Sequence, residues 1–151
     1  MHKLTDGSPL IAIIENDEAI RGAVSSLVRS ARYRCAAFAS AEPFLESGKF
    51  DEVSCVLLDV RLPGMDGFDL HLRLNEMSAN QIRGAIPVIY VTAARGGTLR
   101  ERALHQGAAA WFPKPFDHEG LLSAIGGALN KSALAKSPST GFKIARFEPA
   151  S

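Results

Sequence analysis

Asp59 directly follows an apolar run, Cys55 to Leu58, and precedes a turn marked by Pro63 and Gly64. A continuous apolar run is typical of a strand covered by helices on both faces, and open sheets of such strands bind ligands at the carboxyl ends of the strands. A carboxylate placed there can act as a nucleophile toward a phosphoryl group. Asp59 is therefore the candidate reactive residue. Taken alone, it also fits a simpler interpretation, an aspartate that ends or caps a strand.

Other polar side chains follow three further apolar runs. They are Glu15 and Asn16 after Leu10 to Ile14, Thr92 after Ile86 to Val91, and Lys114 after Trp111 to Pro113. Because the carboxyl ends of parallel strands meet at one edge of a sheet, we expect these side chains to lie close to Asp59. Thr92 alone could be an ordinary strand-end residue, and Lys114 a surface ion-pair partner. The combination of acids, a hydroxyl and an amine favours a shared site.

The side chains of this set suit phosphoryl transfer. Oxygen atoms of Glu15, Asn16 and Asp59 are ligands of the kind that hydrated Mg²⁺ prefers. Lys114 offers a positive charge and Thr92 a hydroxyl donor to the oxygens of a transferred phosphoryl group. The expected chemistry is formation of an aspartyl phosphate.

Predicted strands and helices alternate along the chain. Each of five apolar runs, at residues 10–14, 34–38, 55–58, 86–91 and 111–113, is followed by a helical pattern or a capped helix start. This alternation indicates an α/β fold with a parallel sheet and right-handed crossovers. We expect one domain over residues 10–130, with a flexible leader over 1–9 and a disordered or loosely docked tail over 131–151.

Composition excludes few function classes but favours some. The 151 residues are 46% hydrophobic with a formal net charge of +1, which suits one folded domain and gives no reason to expect a nucleic-acid or membrane partner. No apolar run approaches the roughly 18 residues of a membrane span, so we expect a cytoplasmic protein. Basic residues are sparse in the tail, which favours a solvated segment over a nucleic-acid arm.

Four segments of the chain strongly resemble the receiver domain of two-component response regulators. They are Ile13 to Asp17, Leu57 to Gly67, Val91 to Ala93 and Lys114 to Phe116, and the resemblance covers about residues 10–130. It implies a flavodoxin-like, doubly wound sheet of five strands in the order 2-1-3-4-5, with five helices. It also implies a regulatory domain rather than an enzyme, one that takes a phosphoryl group from a histidine kinase or phosphotransfer protein onto Asp59.

The resemblance assigns further roles. Mg²⁺ would be held by Glu15, Asn16, Asp59 and the backbone carbonyl of Arg61. Thr92 and Lys114 would contact the phosphoryl group, Thr92 and Trp111 would form the switch, and the Lys114-Pro115 bond would be cis. A downstream protein would bind the face formed by the fourth helix, fifth strand and fifth helix of a monomer or weak homodimer.

The implied strand order also bears on the two cysteines. Cys35 and Cys55 fall in predicted strands with a third strand between them, and two inter-strand spacings of about 9.6 Å exceed the roughly 7 Å limit for a disulfide. We expect both thiols to be reduced core residues.

Two positions depart from the family pattern. Receiver domains usually carry two adjacent acids where this chain has Glu15-Asn16, so Mg²⁺ binding should be weakened by the missing charge. Trp111 stands where a smaller aromatic residue is usual, and it suits plain core packing as well as a switch role. The alternative function is a degenerate receiver that acts as a phosphorylation-independent interaction module. A hydrolase acting through an aspartyl intermediate has little support, since no second acid/base pair is visible.

Overall fold

The structure is a computed structural model that describes residues 7–136, with side chains described as far as residue 131. Five parallel strands form one sheet: β1 Leu10–Ile14, β2 Arg34–Phe38, β3 Val53–Leu58, β4 Val88–Thr92 and β5 Ala110–Pro113. Their order is β2-β1-β3-β4-β5, which confirms the predicted topology. The helices are α1 Glu18–Ser30, α2 Ala41–Glu46, α3 Gly67–Ser78, α4 Gly97–His105 and α5 His118–Lys136, with a short 3₁₀ turn at Phe50–Glu52.

The sheet is covered on both faces, as its apolar strands require. One core layer contains Phe44 of α2, Phe68 and Leu74 of α3, and Ala103 of α4, while the other contains Val24 of α1 and Leu121 of α5, among others. Every residue of β1 and β4 is buried, whereas the edge strands β2 and β5 are half-buried along most of their length. The central strands are thus fixed in the core, and their carboxyl ends lie at one edge of the sheet.

Aspartates begin three of the helices at that edge. Asp17 accepts a hydrogen bond from the N–H of Ile20 at 3.0 Å, Asp66 accepts one from Asp69, and Asp117 accepts one from Gly120. Each side chain satisfies a backbone donor that the first turn of a helix leaves free. The turn from strand to helix is thus fixed locally at the start of α1, α3 and α5.

The described structure extends beyond residues 10–130 at both ends. Helix α5 continues to Lys136 instead of ending near residue 130, since Ala, Leu and Lys in this stretch favour helix more than a tail-like composition suggests. At the other end, the backbone N–H of Arg34 donates to Pro9 O and its Nε to Ser8 O, both at 2.9 Å, so the last residues of the expected leader are attached to β2. The rest of the predicted leader and tail, residues 1–6 and 137–151, lies outside the described residues.

The cysteines lie where the predicted topology puts them. Cys35 of β2 and Cys55 of β3 are both in register with Ile11 of β1, on its opposite sides, and both thiols are free. Within residues 7–136, no helix combines the length and apolar character needed to cross a membrane.

Candidate functional site

Lys114 joins two buried carboxylates at the carboxyl edge of the sheet. Its Nζ lies 2.7 Å from Oε1 of Glu15 and 2.9 Å from Oδ2 of Asp59. Glu15 follows β1, Asp59 follows β3 and Lys114 follows β5, so three strands deliver the three charges. Only 5% of Glu15 and 7% of Asp59 is exposed. The structure thus brings together three of the residues that the sequence placed at this edge.

Backbone donors hold the two carboxylates in place. The Asp17 N–H donates to Oε2 of Glu15 at 2.9 Å, and the Arg61 N–H donates to Oδ1 of Asp59 at 3.2 Å. Each carboxylate therefore has one oxygen toward Lys114 and one toward its own loop. Asp59 keeps lone pairs free on both oxygens, since a carboxylate oxygen accepts more than one hydrogen bond.

The loop after Asp59 depends on close backbone contacts. A Cβ on residue 67 would overlap the carbonyl oxygen of Asp59, so only glycine allows α3 to start this near the reactive residue. Gly64 has a φ of 74°, a conformation that favours glycine, and a Cβ there would meet the carboxylate of Glu42. That carboxylate accepts a hydrogen bond from the Met65 N–H at 2.9 Å. Glu42 was not predicted as a site residue, and no sequence signal pointed to it.

Burial and hydrogen bonding act in opposite directions on the pKa values of Glu15 and Lys114. Burial raises the pKa of Glu15, against the hydrogen bonds it accepts from Lys114 and Asp17. Burial lowers the pKa of Lys114, but its hydrogen bonds to Glu15 and Asp59 outweigh burial and leave the pKa raised. The raised pKa of Glu15 favours its neutral form, and the raised pKa of Lys114 favours its charged form. The contacts at 2.7 and 2.9 Å are those of an ammonium donor, so we treat Lys114 as charged at neutral pH.

Asn16 and Asp17 have different roles in the loop after β1. Asn16 is exposed, whereas Asp17 caps α1 by accepting a hydrogen bond from the N–H of Ile20 through its side chain. Arg21 donates from one guanidinium nitrogen to the carbonyl of Glu15 at 2.8 Å and to that of Asn16 at 3.3 Å. This contact, one turn into α1, fixes the loop and adds a positive charge beside it. Arg21 was absent from the predicted site because only the fold brings it back to the strand tip.

Mg²⁺ is the cofactor that the predicted ligands imply. The donors fit its chemistry, since the carboxylates of Glu15 and Asp59, the amide of Asn16 and the carbonyl of Arg61 are all hard oxygens. Within the described side chains, no three residues among His, Cys, Asp and Glu group together as a metal site. Asn16 supplies an amide at the position where a second acid beside Glu15 would complete such a group. The positive charge of Arg21 beside the loop disfavours a bound cation. The donor set fits a hydrated Mg²⁺, with one carboxylate fewer than two adjacent acids would supply.

Thr92 and Trp111 occupy the neighbouring strands. The Thr92 side chain is fully buried, and its hydroxyl oxygen accepts a hydrogen bond from the Ala94 N–H at 3.1 Å, which leaves its own proton free to be donated. The Lys114 N–H donates to Thr92 O at 3.0 Å, so the two residues are tied through their backbones. Trp111 is half-buried and stacks on Tyr90, with ring centroids 5.5 Å apart. The Lys114-Pro115 peptide bond is cis.

Comparisons with known proteins define the class. The model of the response regulator receiver domain matches residues 11–126. The chain is 35% identical over 129 residues to the response regulator protein TodT of Pseudomonas putida, covering 85% of this chain and 55% of TodT. It is 32% identical over 124 residues to the transcriptional regulatory protein FixJ of Azorhizobium caulinodans, covering 82% of this chain and 56% of FixJ. The chain thus spans about half the length of these relatives.

Solved structures agree in fold. The response regulator StyR superposes with a TM-score of 0.74 at 32% identity, covering 84% of this chain and 62% of StyR. The BeF3-activated receiver domain of DrrB has a TM-score of 0.72 at 25% identity, covering 82% of this chain and 98% of DrrB. The chain belongs to the response regulator receiver domain family, and the fold is the doubly wound receiver fold. It is a regulatory domain of phosphorelay signalling rather than a classical enzyme.

Proposed function

We propose that a histidine kinase or phosphotransfer protein phosphorylates this chain on Asp59, and that the phosphorylated domain signals through protein contacts. The observation that carries this proposal is the hydrogen bond from Lys114 to Oδ2 of Asp59 at 2.9 Å. A nucleophilic carboxylate needs a cation beside it to neutralise the incoming phosphoryl oxygens. Asp59 has that cation at a strand tip, held in place by the second carboxylate, Glu15.

The reaction transfers a phosphoryl group between two proteins. An oxygen of Asp59 attacks phosphorus as the bond to the donor's imidazole nitrogen breaks, and the electron pair of that bond stays on the nitrogen. Lys114 keeps its contact with Glu15 while it turns its charge to the phosphoryl oxygens, and Thr92 donates its free hydroxyl proton to one of them. Bound Mg²⁺, held by Asp59, Asn16, Glu15 and the carbonyl of Arg61, would neutralise further negative charge.

A recess beside the site supports a protein as phosphoryl donor. It has a volume of about 430 Å³ and is lined by Ile20, Ala93, Lys114, Pro115, Phe116 and His118. Its apolar lining borders Lys114 directly. A partner that packs against this lining would hold its phosphohistidine next to Asp59, with water excluded from the transfer.

The switch part of the proposal concerns Thr92 and Trp111. A phosphoryl group on Asp59 draws the Thr92 hydroxyl inward, and Trp111 follows into the space behind it. This rearrangement reshapes the α4–β5–α5 face, where we place the downstream partner. The indole is larger than the usual aromatic ring at this position, so the active arrangement should be less populated than in typical receivers.

Labelling with acetyl phosphate and Mg²⁺ tests the proposal. We expect the intact mass of the wild-type chain to rise by one phosphoryl group, and the Asp59→Asn variant to gain none. Asp69→Asn, which alters an exposed aspartate at the start of α3, is the matched control and should label normally. If neither acetyl phosphate nor a set of phosphorylated histidine kinases labels the wild type, the phosphorylation-independent interaction module becomes the better description.

A further inference from the structure

His71 and Tyr90 form a buried polar pair that the proposed phosphoryl transfer does not use. His71 Nδ1 and Tyr90 Oη are 2.8 Å apart, and the two residues are 1% and 0% exposed. One lies on α3 and the other on β4. A buried hydroxyl or imidazole is costly unless it is hydrogen bonded, so this contact fixes the Tyr90 ring relative to α3.

The Tyr90 ring is also the surface on which Trp111 packs. Tyr90 and Trp111 are opposite each other in the β4–β5 register, with ring centroids 5.5 Å apart and planes inclined by 32°. Thr92 follows Tyr90 by two residues, so both side chains leave β4 on the same face. Tyr90 thus lies between α3, the indole of Trp111 and the region directly below Thr92.

Tyr90 is fully buried among its neighbours. Phe68 contacts the tyrosine ring with centroids 5.6 Å apart, and the guanidinium of Arg102 on α4 lies 4.3 Å above the Phe68 ring. Core side chains pack at crystal-like density and shift between discrete positions. Tyr90 therefore has little freedom while its hydroxyl stays bound to His71.

We propose that His71 and Tyr90 are positioning residues for Trp111. The hydrogen bond between them holds the ring on which the indole rests, so it sets the resting position of Trp111 and limits how far Trp111 moves toward Thr92. Through this hydrogen bond, helix α3 influences the movement of Trp111 on β5. The resting position of Trp111 follows from this geometry, whereas the limit on its movement rests on the proposed phosphorylation of Asp59.

Fluorescence separates this role from simple stabilisation, because Trp111 is the only tryptophan of the chain. The full-length variants are Tyr90→Phe, which removes one oxygen, His71→Phe, their double variant, and His71→Gln, whose amide can restore the bond. The control is Phe44→Leu, a change in the same core layer at a residue that contacts Phe38. Emission maximum and acrylamide quenching of Trp111 are measured before and after labelling with acetyl phosphate and Mg²⁺, beside the stoichiometry of labelling.

We expect each phenylalanine variant to shift the resting emission and raise the quenching of Trp111. The emission and quenching of the double variant should change no more than those of either single variant. The reason is that the two single variants and the double variant all lack the same hydrogen bond. His71→Gln should return toward wild type, and Phe44→Leu should leave the emission unchanged. On labelling, the emission change per phosphorylated molecule should be larger without the bond than with it.

Several results would overturn the proposal. Wild-type emission and quenching in folded Tyr90→Phe would show that the bond does not position the indole, and additive effects of the two substitutions would show that they do not act through one bond. If the wild type takes up no phosphate, the proposed function fails, but the resting-state measurements still decide whether His71 and Tyr90 position Trp111. If His71→Phe does not fold, Tyr90→Phe and His71→Gln decide the matter.

Discussion

Lys114 donates a hydrogen bond to Oδ2 of Asp59 across 55 positions of the sequence, at a distance of 2.9 Å. The same ammonium is 2.7 Å from Glu15, so the cation is held in place even when the charge of Asp59 changes. A charge preorganised in this way needs little rearrangement at the moment of reaction. Lys114 should therefore matter more for the rate of phosphorylation than for folding of the domain.

The first prediction concerns Lys114→Met. Loss of one preorganised donor commonly slows a reaction by about 100-fold or more, and we expect a decrease of that order in the rate of labelling by acetyl phosphate. Lys131→Met, at an exposed lysine of α5, serves as the control and should label at the wild-type rate. Equal rates for the two variants would remove Lys114 from the mechanism.

The second prediction concerns the neutral residue in the metal site. Asn16→Asp restores a carboxylate beside Glu15, and the added attraction should tighten Mg²⁺ binding by about tenfold, measured by calorimetric titration. Asn80→Asp, at an exposed position, is the charge-matched control. Unchanged affinity in Asn16→Asp, together with lost affinity in Asp17→Asn, would make Asp17 the ligand despite its capping of α1.

The third prediction concerns stability at acid pH. Burial lowers the pKa of His71 to about 4 from an ordinary value of 6.5, so the folded state binds this proton less readily than the unfolded state. The contribution of neutral His71 is complete above pH 6.5 and is lost as pH falls toward 4. The loss is at most about 3 kcal/mol in the free energy of unfolding.

Urea unfolding between pH 4 and pH 7 measures this contribution. His71→Gln lacks the titrating group and should show a shallower loss of stability on acidification than the wild type. His105→Gln alters an exposed histidine of α4 and should keep the wild-type slope. Parallel curves for the wild type and His71→Gln would mean that His71 does not titrate differently in the folded state.

The fourth prediction separates phosphate uptake from its transmission. Thr92→Ala removes the hydroxyl that the phosphoryl group is proposed to draw inward, so the phosphorylated variant should show little change in Trp111 emission. Thr92→Ser keeps the hydroxyl and should retain the response. Emission per phosphorylated molecule is the measurement, with uptake determined by mass. A full response in Thr92→Ala would place the switch elsewhere.

The apolar strands are the signal by which the sequence placed candidate side chains at one edge of the sheet. The apolar runs of β1 and of the second half of β3 are followed directly by Glu15 and Asp59, and the largely apolar β4 ends in Thr92, which is how the sequence placed these side chains at one edge. Lys114 follows the edge strand β5, whose half-buried residues give a weaker apolar pattern than the central strands. The match to the family motif therefore contributed most to the choice of Lys114. The strand order also came from that resemblance and is confirmed.

Contacts between distant segments could not be predicted in this way. His71 and Tyr90 are 19 residues apart on a helix and a strand, and neither residue type marks a buried hydrogen bond by itself. On α1 the apolar Ala23 is exposed while the polar Ser25 is buried, which a simple apolar pattern would not predict. Such details depend on packing rather than periodicity.

Direct mapping of the phosphorylated residue tests the central claim. Borohydride reduces an acyl phosphate to an alcohol, so a phosphorylated aspartate is trapped as homoserine and can be located by peptide mass spectrometry. After treatment with acetyl phosphate and Mg²⁺, we predict homoserine at position 59 in the wild-type chain and none at that position when acetyl phosphate is omitted. Homoserine at another aspartate, or at none, would contradict the assignment of Asp59 as phosphoacceptor.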